Sequence, residues 1–335
     1  MSNIILSICI PAYNRPERIH FILKELTIIN SEEIEFVIGD DNPNHDKIRK
    51  VIEKFDDHRI NYFKNKDNLG MDGNILMIVK KAKGKFIFLL MDEDAVEVKN
   101  IPWIINTIEK HKNISHICGR IGDKRIGKNP IYFKYNKEDI IFSRGFQSLR
   151  HILFRYPHGS GIIIRKSVID LKKAMKYNCF LYMQMALIAE ALVRGDSLCT
   201  SKVLAYIGKD LYESDQPLLR GKTYEEPLSR LLQLKYKIQI IYDITKEMNY
   251  EHIIRTQLLV RPKTKIIKYL NLLTSTFKDF MFGIRLISRM NLSKSPVFWL
   301  YIFINVGLSF FKKLRIIKLF LEIFNKYYLK NYYLN

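Results

Sequence analysis

Three carboxylates stand in a row at Asp92, Glu93 and Asp94, directly after the unbroken apolar run from Phe86 to Met91. Like charges on consecutive residues repel, so holding all three where a strand leaves a sheet requires a counter-charge. A divalent cation, Mn²⁺ or Mg²⁺, is the natural one, because both prefer oxygen ligands and often bridge carboxylates to phosphates. The plain alternative for such a triplet is a solvated acidic turn. Two more polar clusters end apolar runs in the same way: Pro11-Ala12-Tyr13-Asn14-Arg15 and Asp40-Asp41-Asn42. Alone, the first reads as a helix entry and the second as a turn. Ligands of open α/β sheets bind beyond the carboxyl ends of the strands. The three clusters are therefore expected along one edge, with the acidic triplet sharing a cleft with Tyr13 and Asp41.

The elements that would position them alternate between strand and helix over the first ~120 residues, the pattern of an α/β sheet. Ile4 to Ile10, Glu35 to Gly39, Arg59 to Lys64 and Phe86 to Met91 read as strands. Between them, Ile19, Ile22, Leu23 and Leu26 make one helix face and Ile75, Ile78, Val79 and Ala82 another. A third, with Ile101, Ile104, Ile105 and Ile108 inward, follows the triplet. Farther on, strands are expected near 116–121, 131–135, 160–164 and 203–207, and helices near 167–176 and 182–194. Beyond about 215 the pattern is mostly helical, rich in Leu, Ile, Phe, Tyr and Lys.

Together these segments resemble the family 2 glycosyltransferases, whose catalytic domain has the GT-A fold, a Rossmann-like mixed sheet flanked by helices. Ser7-Ile8-Cys9-Ile10-Pro11-Ala12-Tyr13-Asn14-Arg15 is similar to the family's opening strand and nucleotide loop. Phe36 to Asn42 resembles its second strand, and Asn68-Leu69-Gly70 followed by Asn74 resembles its N-x-G…N segment. Gly84 to Asp94 is similar to the strand that leads into the metal-binding D-x-D. The resemblance fades after about 210.

It implies a catalytic domain over 1–212, with a nucleotide-sugar half to about 120 and an acceptor half from about 121. Pro11, Ala12, Tyr13, Asn14, Arg15, Asp40, Asp41, Asn68, Gly70 and Asn74 would bind the donor nucleotide, Asp41 accepting from the base. Asp92, Glu93 and Asp94 would hold the cation and the diphosphate. An acceptor hydroxyl would lose its proton to a carboxylate base and attack the anomeric carbon, inverting it. Many relatives carry that base as an Asp about eleven residues before a helix-ending Gly; counting back from Gly195 reaches Met183-Gln184. Glutamine cannot accept the proton, which leaves His158, Glu190 and Asp123 as candidates. Tyr156-Pro157-His158-Gly159-Ser160-Gly161 resembles the small-residue segment beside the acceptor pocket. His158 reads equally well as a turn or core histidine.

The charge is distributed unevenly. Of a formal +21, the last 81 residues carry +13, with 15 Lys and Arg against Asp279 and Glu322. Such an excess calls for an anionic partner. Val297 to Phe311 holds no charge but is shorter than the ~20 residues that span a bilayer. Lys312, Lys313, Arg315 and Lys318 follow, among aromatic and aliphatic residues. This suits helices lying on an anionic membrane surface; packing on the catalytic domain or on a second copy of the chain is the alternative reading. A nucleic-acid-binding protein is the rival class, but no helix-turn-helix, zinc-finger or ribonucleoprotein motif supports it. A catalytically inactive scaffold of the same fold is a second rival, given Gln184. The scattered Cys9, Cys118, Cys179 and Cys199 form no C-x-x-C pair, and no signal peptide is evident. The expected site of action is the cytoplasmic face of the membrane, on a saccharide or lipid-linked acceptor.

Overall fold

The computed structural model describes residues 3–123, 138–153, 158–178 and 183–208, with a few helical residues between 234 and 247. The expected strand at 131–135, Tyr156-Pro157 and the basic tail from 255 onward lie outside the described residues. The chain divides into two compact units, Met1–Asp215 with Ile240–Ile254, and Gln216–Gln239 with Arg255–Asn335. The described sheet belongs to the first. Of the second, residues 234–236 and 239 are helical. Among the described residues no helix is long and apolar enough to cross a membrane.

Among the described residues nine strands form one mixed sheet. They are β1 (Leu6–Ala12), β2 (Ile34–Asp40), β3 (Ile60–Lys64), β4 (Phe86–Leu89), β5 (Ala95–Val96), β6 (Ile114–Asp123), β7 (Ile140–Phe142), β8 (Ile162–Arg165) and β9 (Asp196–Ile207). The spatial order is β3-β2-β1-β4-β8-β6-β9-β5, with β7 also pairing β9. β3, β2, β1 and β4 run parallel; β8 is reversed between β4 and β6; and β6 pairs parallel to β9. The carboxyl ends of β1, β2, β4, β6 and β9 and the start of β8 therefore share one edge. Every residue of β1, β2 and β4 is buried, as a strand covered on both faces requires.

Helices cover the two faces because the strands alternate. α1 (Pro16–Leu26) and α4 (Ile101–Lys110) bring Ile19, Ile22, Leu23, Leu26, Ile101, Ile104, Ile105 and Ile108 into one cluster with Ile8, Ile10, Phe36, Ile38 and Phe88. Ile48 of α2 (Lys47–Ile52) joins them. Gly39, one residue after Ile38, faces the other way, where its missing Cβ leaves room for Asn74 and Ile78 of α3 (Gly70–Lys81). α7 (Met183–Arg194) packs on that second face against β6 and β8, beside α3 and α5 (Phe146–Ile152).

One expected helix is broken up. Instead of a single run over 167–176, there is a 3-10 turn at Lys166–Val168, a short α6 (Leu171–Ala174) and another 3-10 turn at Met175–Tyr177. Ile169 is extended, and the Asp170 carboxylate accepts from the Lys173 N–H at 3.0 Å. The aspartate thus starts a new helix where periodicity alone continues the old one.

Candidate active site

The predicted edge is built from four chain segments. Asp41 N–H donates to the Ala12 carbonyl at 3.0 Å, clipping the turn after β2 to the end of β1. Asn14 then takes a left-handed backbone (φ 57°), a conformation asparagine tolerates better than most residues. Its Oδ1 accepts from the Asn42 amide and meets His45 Nε2 at 2.7 Å. Asp40 is buried, accepting from Tyr62 OH at 2.9 Å and from Asn42 N at 3.1 Å.

Asp41 is the better placed of the pair to meet a ligand. Its Oδ1 accepts from Leu69 N and Asn65 Nδ2, both at 2.8 Å. Asn65 also donates to Asn74 Oδ1 at 3.2 Å, while Asn74 Nδ2 donates to the Gly39 carbonyl at 2.8 Å. Gly70, at φ 70°, opens α3 and donates its N–H to Asn68 Oδ1 at 2.9 Å. Burial, the largest influence, raises the Asp41 pKa against its hydrogen bonds.

The acidic triplet meets this edge. Asp92 accepts from the Tyr13 N–H at 3.0 Å and pairs with Arg15 at 2.5 Å. Arg15 also reaches Glu93 at 3.3 Å, and Arg18 donates to the Glu93 carbonyl. Asp94 is fully buried and accepts from Ser160 Oγ at 2.5 Å, His158 Nε2 at 2.6 Å and Gly208 N at 3.0 Å. Ser160 accepts in turn from Met91 N at 2.8 Å. The approach of β9 is tight: a Cβ on Gly208 would lie 1.5 Å from the Glu93 carbonyl oxygen.

Glu93 shares this pocket with two further carboxylates, Asp92 and Asp94. Glu93 is held well above the usual carboxylate range, chiefly by burial and next by the charge of Asp92. Its ionisation is disfavoured in the fold, so its contribution to stability is present at acid pH and lost as pH rises through the raised value. Glu93→Gln should therefore raise the melting temperature at pH 8 in a chelator by roughly 2–4 °C. The gain should vanish below about pH 4, where the carboxyl is protonated in both states. Paired melting curves check both ends.

The donor set suits a hard cation, being all carboxylate oxygen and more negative than Arg15 can balance. Among the described residues no three or more His, Cys, Asp and Glu side chains gather closely enough to hold an ion unaided.

The candidate bases separate by position. His158 lies in the site, on Asp94. Asp123 ends β6 with its Cα paired to Ile207, one residue before Gly208, so its backbone reaches the same edge. Glu190 is buried between Lys173, 2.6 Å away, and Arg194, 2.7 Å away. Pro11 and Ala12 contribute backbone at the end of β1. Sequence reasoning left Asn42, His45, Asn65, Ser160 and Gly208 out of the set of site residues. Asn65 follows β3 as the other clusters follow their strands, a signal that could have found it. Gly208 gave none.

Residues 7–171 match the family model described as Glycosyl transferase family 2. An uncharacterized glycosyltransferase of Methanocaldococcus jannaschii is 28% identical over 119 residues, 34% of this chain and 40% of that protein. One from Haemophilus influenzae is 29% identical over 112 residues, 33% of this chain and 37% of its own length. The matched stretch thus spans about two-fifths of these relatives. The crystal structure of S. aureus TarS 1-349 superposes with a TM-score of 0.54 at 13% identity, covering 91% of this chain and 89% of that one. That protein is also known in complex with UDP-GlcNAc. At such identity the likeness shows the fold, which is GT-A.

Proposed function

We propose that this chain, a glycosyltransferase with a family 2 domain over residues 7–171, moves a sugar from a nucleoside-diphosphate sugar to a hydroxyl of a saccharide or lipid-linked acceptor, with inversion. One observation carries the reading: Asp92, from the tip of β4, accepts from Tyr13 N and pairs with Arg15, in the loop after β1. A pyrophosphate lying there would meet the acidic triplet on one side and the nucleoside edge at Asp41 on the other. TarS, of the same fold, takes UDP-GlcNAc, which supports a nucleotide-sugar donor.

Asp41, Asn65 and the Leu69 N–H would form the base-recognising end, with Asn14, Asn68 and Gly70 around it. Asp92, Glu93 and Asp94 would hold Mn²⁺ or Mg²⁺, which when bound offsets charge on the leaving diphosphate. His158 is the base best supported by geometry. Donating Nε2–H to Asp94 fixes its neutral tautomer and leaves Nδ1 basic. Asp94 orients the ring and stabilises the imidazolium that would form. The basic tail would hold the enzyme on the cytoplasmic face of the membrane, near a lipid-linked or surface-polysaccharide acceptor.

The test is a panel of UDP-, GDP-, dTDP- and CDP-sugars with Mn²⁺, followed by thermal shift and by release of nucleoside diphosphate. One donor should stabilise the protein and be hydrolysed slowly only with the metal. A panel without any shift or turnover would overturn nucleotide-sugar use, and metal-independent turnover would overturn the role of the cation. Deleting residues 296–335 should abolish co-sedimentation with anionic vesicles. Unchanged co-sedimentation, or full activity of the deletion in cells, would overturn the membrane role.

A further inference from the structure

The edge of the sheet opposite the acidic triplet holds a cavity of about 220 Å³, lined by Ile5, Lys85, Ile108, Glu109, Lys112 and Arg165. Ile5 stands just before β1 and Lys85 just before β4. Arg165 closes β8, which runs the other way, and its Cα pairs with that of Phe86 at the start of β4. Ile108 and Glu109 lie in the last turn of α4, and Lys112 follows it. The cavity therefore opens at the amino ends of β1 and β4, whereas Asp92, Glu93 and Asp94 follow the carboxyl end of β4.

Three cations and one carboxylate line it, and the cations lack counter-charges. Among the described residues Lys85, Lys112 and Arg165 form no ion pair, with Glu109 or with any other acid. Arg165 is the most constrained of the three. Its Nε donates to the Ile114 carbonyl at 2.9 Å, and its Nη2 to the carbonyls of Ile114 and Lys112 at 2.6 and 2.7 Å. The guanidinium also lies 4.7 Å from the centre of the Phe86 ring. Carbonyl dipoles of this kind offset a charge only in part. Burial lowers the Arg165 pKa, the direction a cation takes where no carboxylate compensates for lost water. Tying β8 to the chain after α4 accounts for Nε and Nη2. It leaves Nη1, which makes no hydrogen bond among the described residues, and the two exposed lysines beside it.

We propose that this cavity binds a phosphate-class dianion, which accepts hydrogen bonds from Arg165 Nη1 and from the ammonium groups of Lys85 and Lys112. A guanidinium already held in place presents its remaining N–H groups in the geometry that phosphate oxygens accept. The lysines add charge without demanding one approach. The volume suits a small oxyanion, being below the roughly 300–1,000 Å³ of sites for larger ligands. Glu109 opposes the anion, but three cations against one carboxylate leave two positive charges in excess. A bound dianion would tie the starts of β1 and β4 to the end of α4, stabilising the sheet far from the acidic triplet. Inorganic phosphate and a phosphate headgroup offer the same oxygens. The inference does not depend on the glycosyl-transfer reading.

Melting of the full chain tests it, with inorganic phosphate replacing chloride at constant ionic strength. A chelator in the buffer keeps any metal from bridging phosphate to the acidic triplet. At ten times its dissociation constant, phosphate should raise the wild-type melting temperature by roughly 3–6 °C. Lys85→Gln combined with Lys112→Gln alters only exposed side chains and should weaken phosphate by about tenfold. Glu109→Gln removes the opposing charge and should tighten it by roughly threefold. Phosphatidic-acid vesicles then identify the source. For a headgroup site the double variant should co-sediment less than the wild type, and for a free-phosphate site equally; either result supports the cavity. No shift beyond that of chloride, or the same phosphate shift in wild type and double variant, would overturn the proposal.

Discussion

Asp94→Asn should lower donor turnover by about 10²–10³-fold while leaving the protein folded. The carboxylate accepts from three donors that arrive from two separate parts of the chain: His158 Nε2 and Ser160 Oγ from one, Gly208 N from the other. An amide offers one acceptor oxygen and presents N–H groups on the other side. One donor must therefore face another, and His158 loses the partner that fixes its tautomer. The negative charge available to a cation disappears as well. Leaving such a buried group unpaired costs about 1–3 kcal/mol, so a lower but still cooperative melting transition is expected. Measuring kcat beside donor-induced thermal shift separates the two effects, since the hydrogen bonds around Asp41, proposed to hold the nucleoside, do not involve Asp94. A rate within about threefold of wild type would remove Asp94 from the chemistry.

Gly208→Ala should be the most disruptive single methyl at this edge. The added carbon would fall 1.5 Å from the Glu93 carbonyl oxygen, with Arg18 Nη2 only 2.8 Å away. The nearest atom is main chain and cannot rotate aside, so β9 or the triplet must move. Forcing a group into a packed site typically costs about 1–3 kcal/mol, or roughly 2–4 °C of melting temperature per kcal/mol for a domain of this size. The Gly208 N–H would be pulled from Asp94, so turnover should fall along with stability. A variant that melts and turns over like wild type would show that β9 can yield without disturbing the triplet.

The half of the fold built on β1 to β4 was largely legible in the sequence. The faces of α1, α3 and α4 follow from the spacing of Ile19, Ile22, Leu23 and Leu26, of Ile75, Ile78 and Val79, and of Ile101, Ile104, Ile105 and Ile108, all of them buried. β1 to β4 are short apolar runs whose tips carry the polar clusters, and the structure brings Tyr13 onto Asp92 as expected. What escaped was set by tertiary pairing. The first half of β9, Asp-Ser-Leu-Cys-Thr-Ser, has no strand pattern of its own and exists because β6 and β7 flank it. α2 contributes one buried residue, Ile48, so no stripe announces it. The partners of Asp94 lie 64, 66 and 114 residues along the chain, beyond the reach of any local periodicity.

That last separation bears on where the working unit ends. The family match stops at 171, yet the carboxylate at its centre takes a bond from residue 208, on a strand that also pairs β5, β6 and β7. A proteolytic or recombinant piece trimmed to the recognisable motif would keep every signature residue through Asp94. It would also expose the open edge of β6, a template for intermolecular pairing. Any excised catalytic fragment has to run through residue 208 at least.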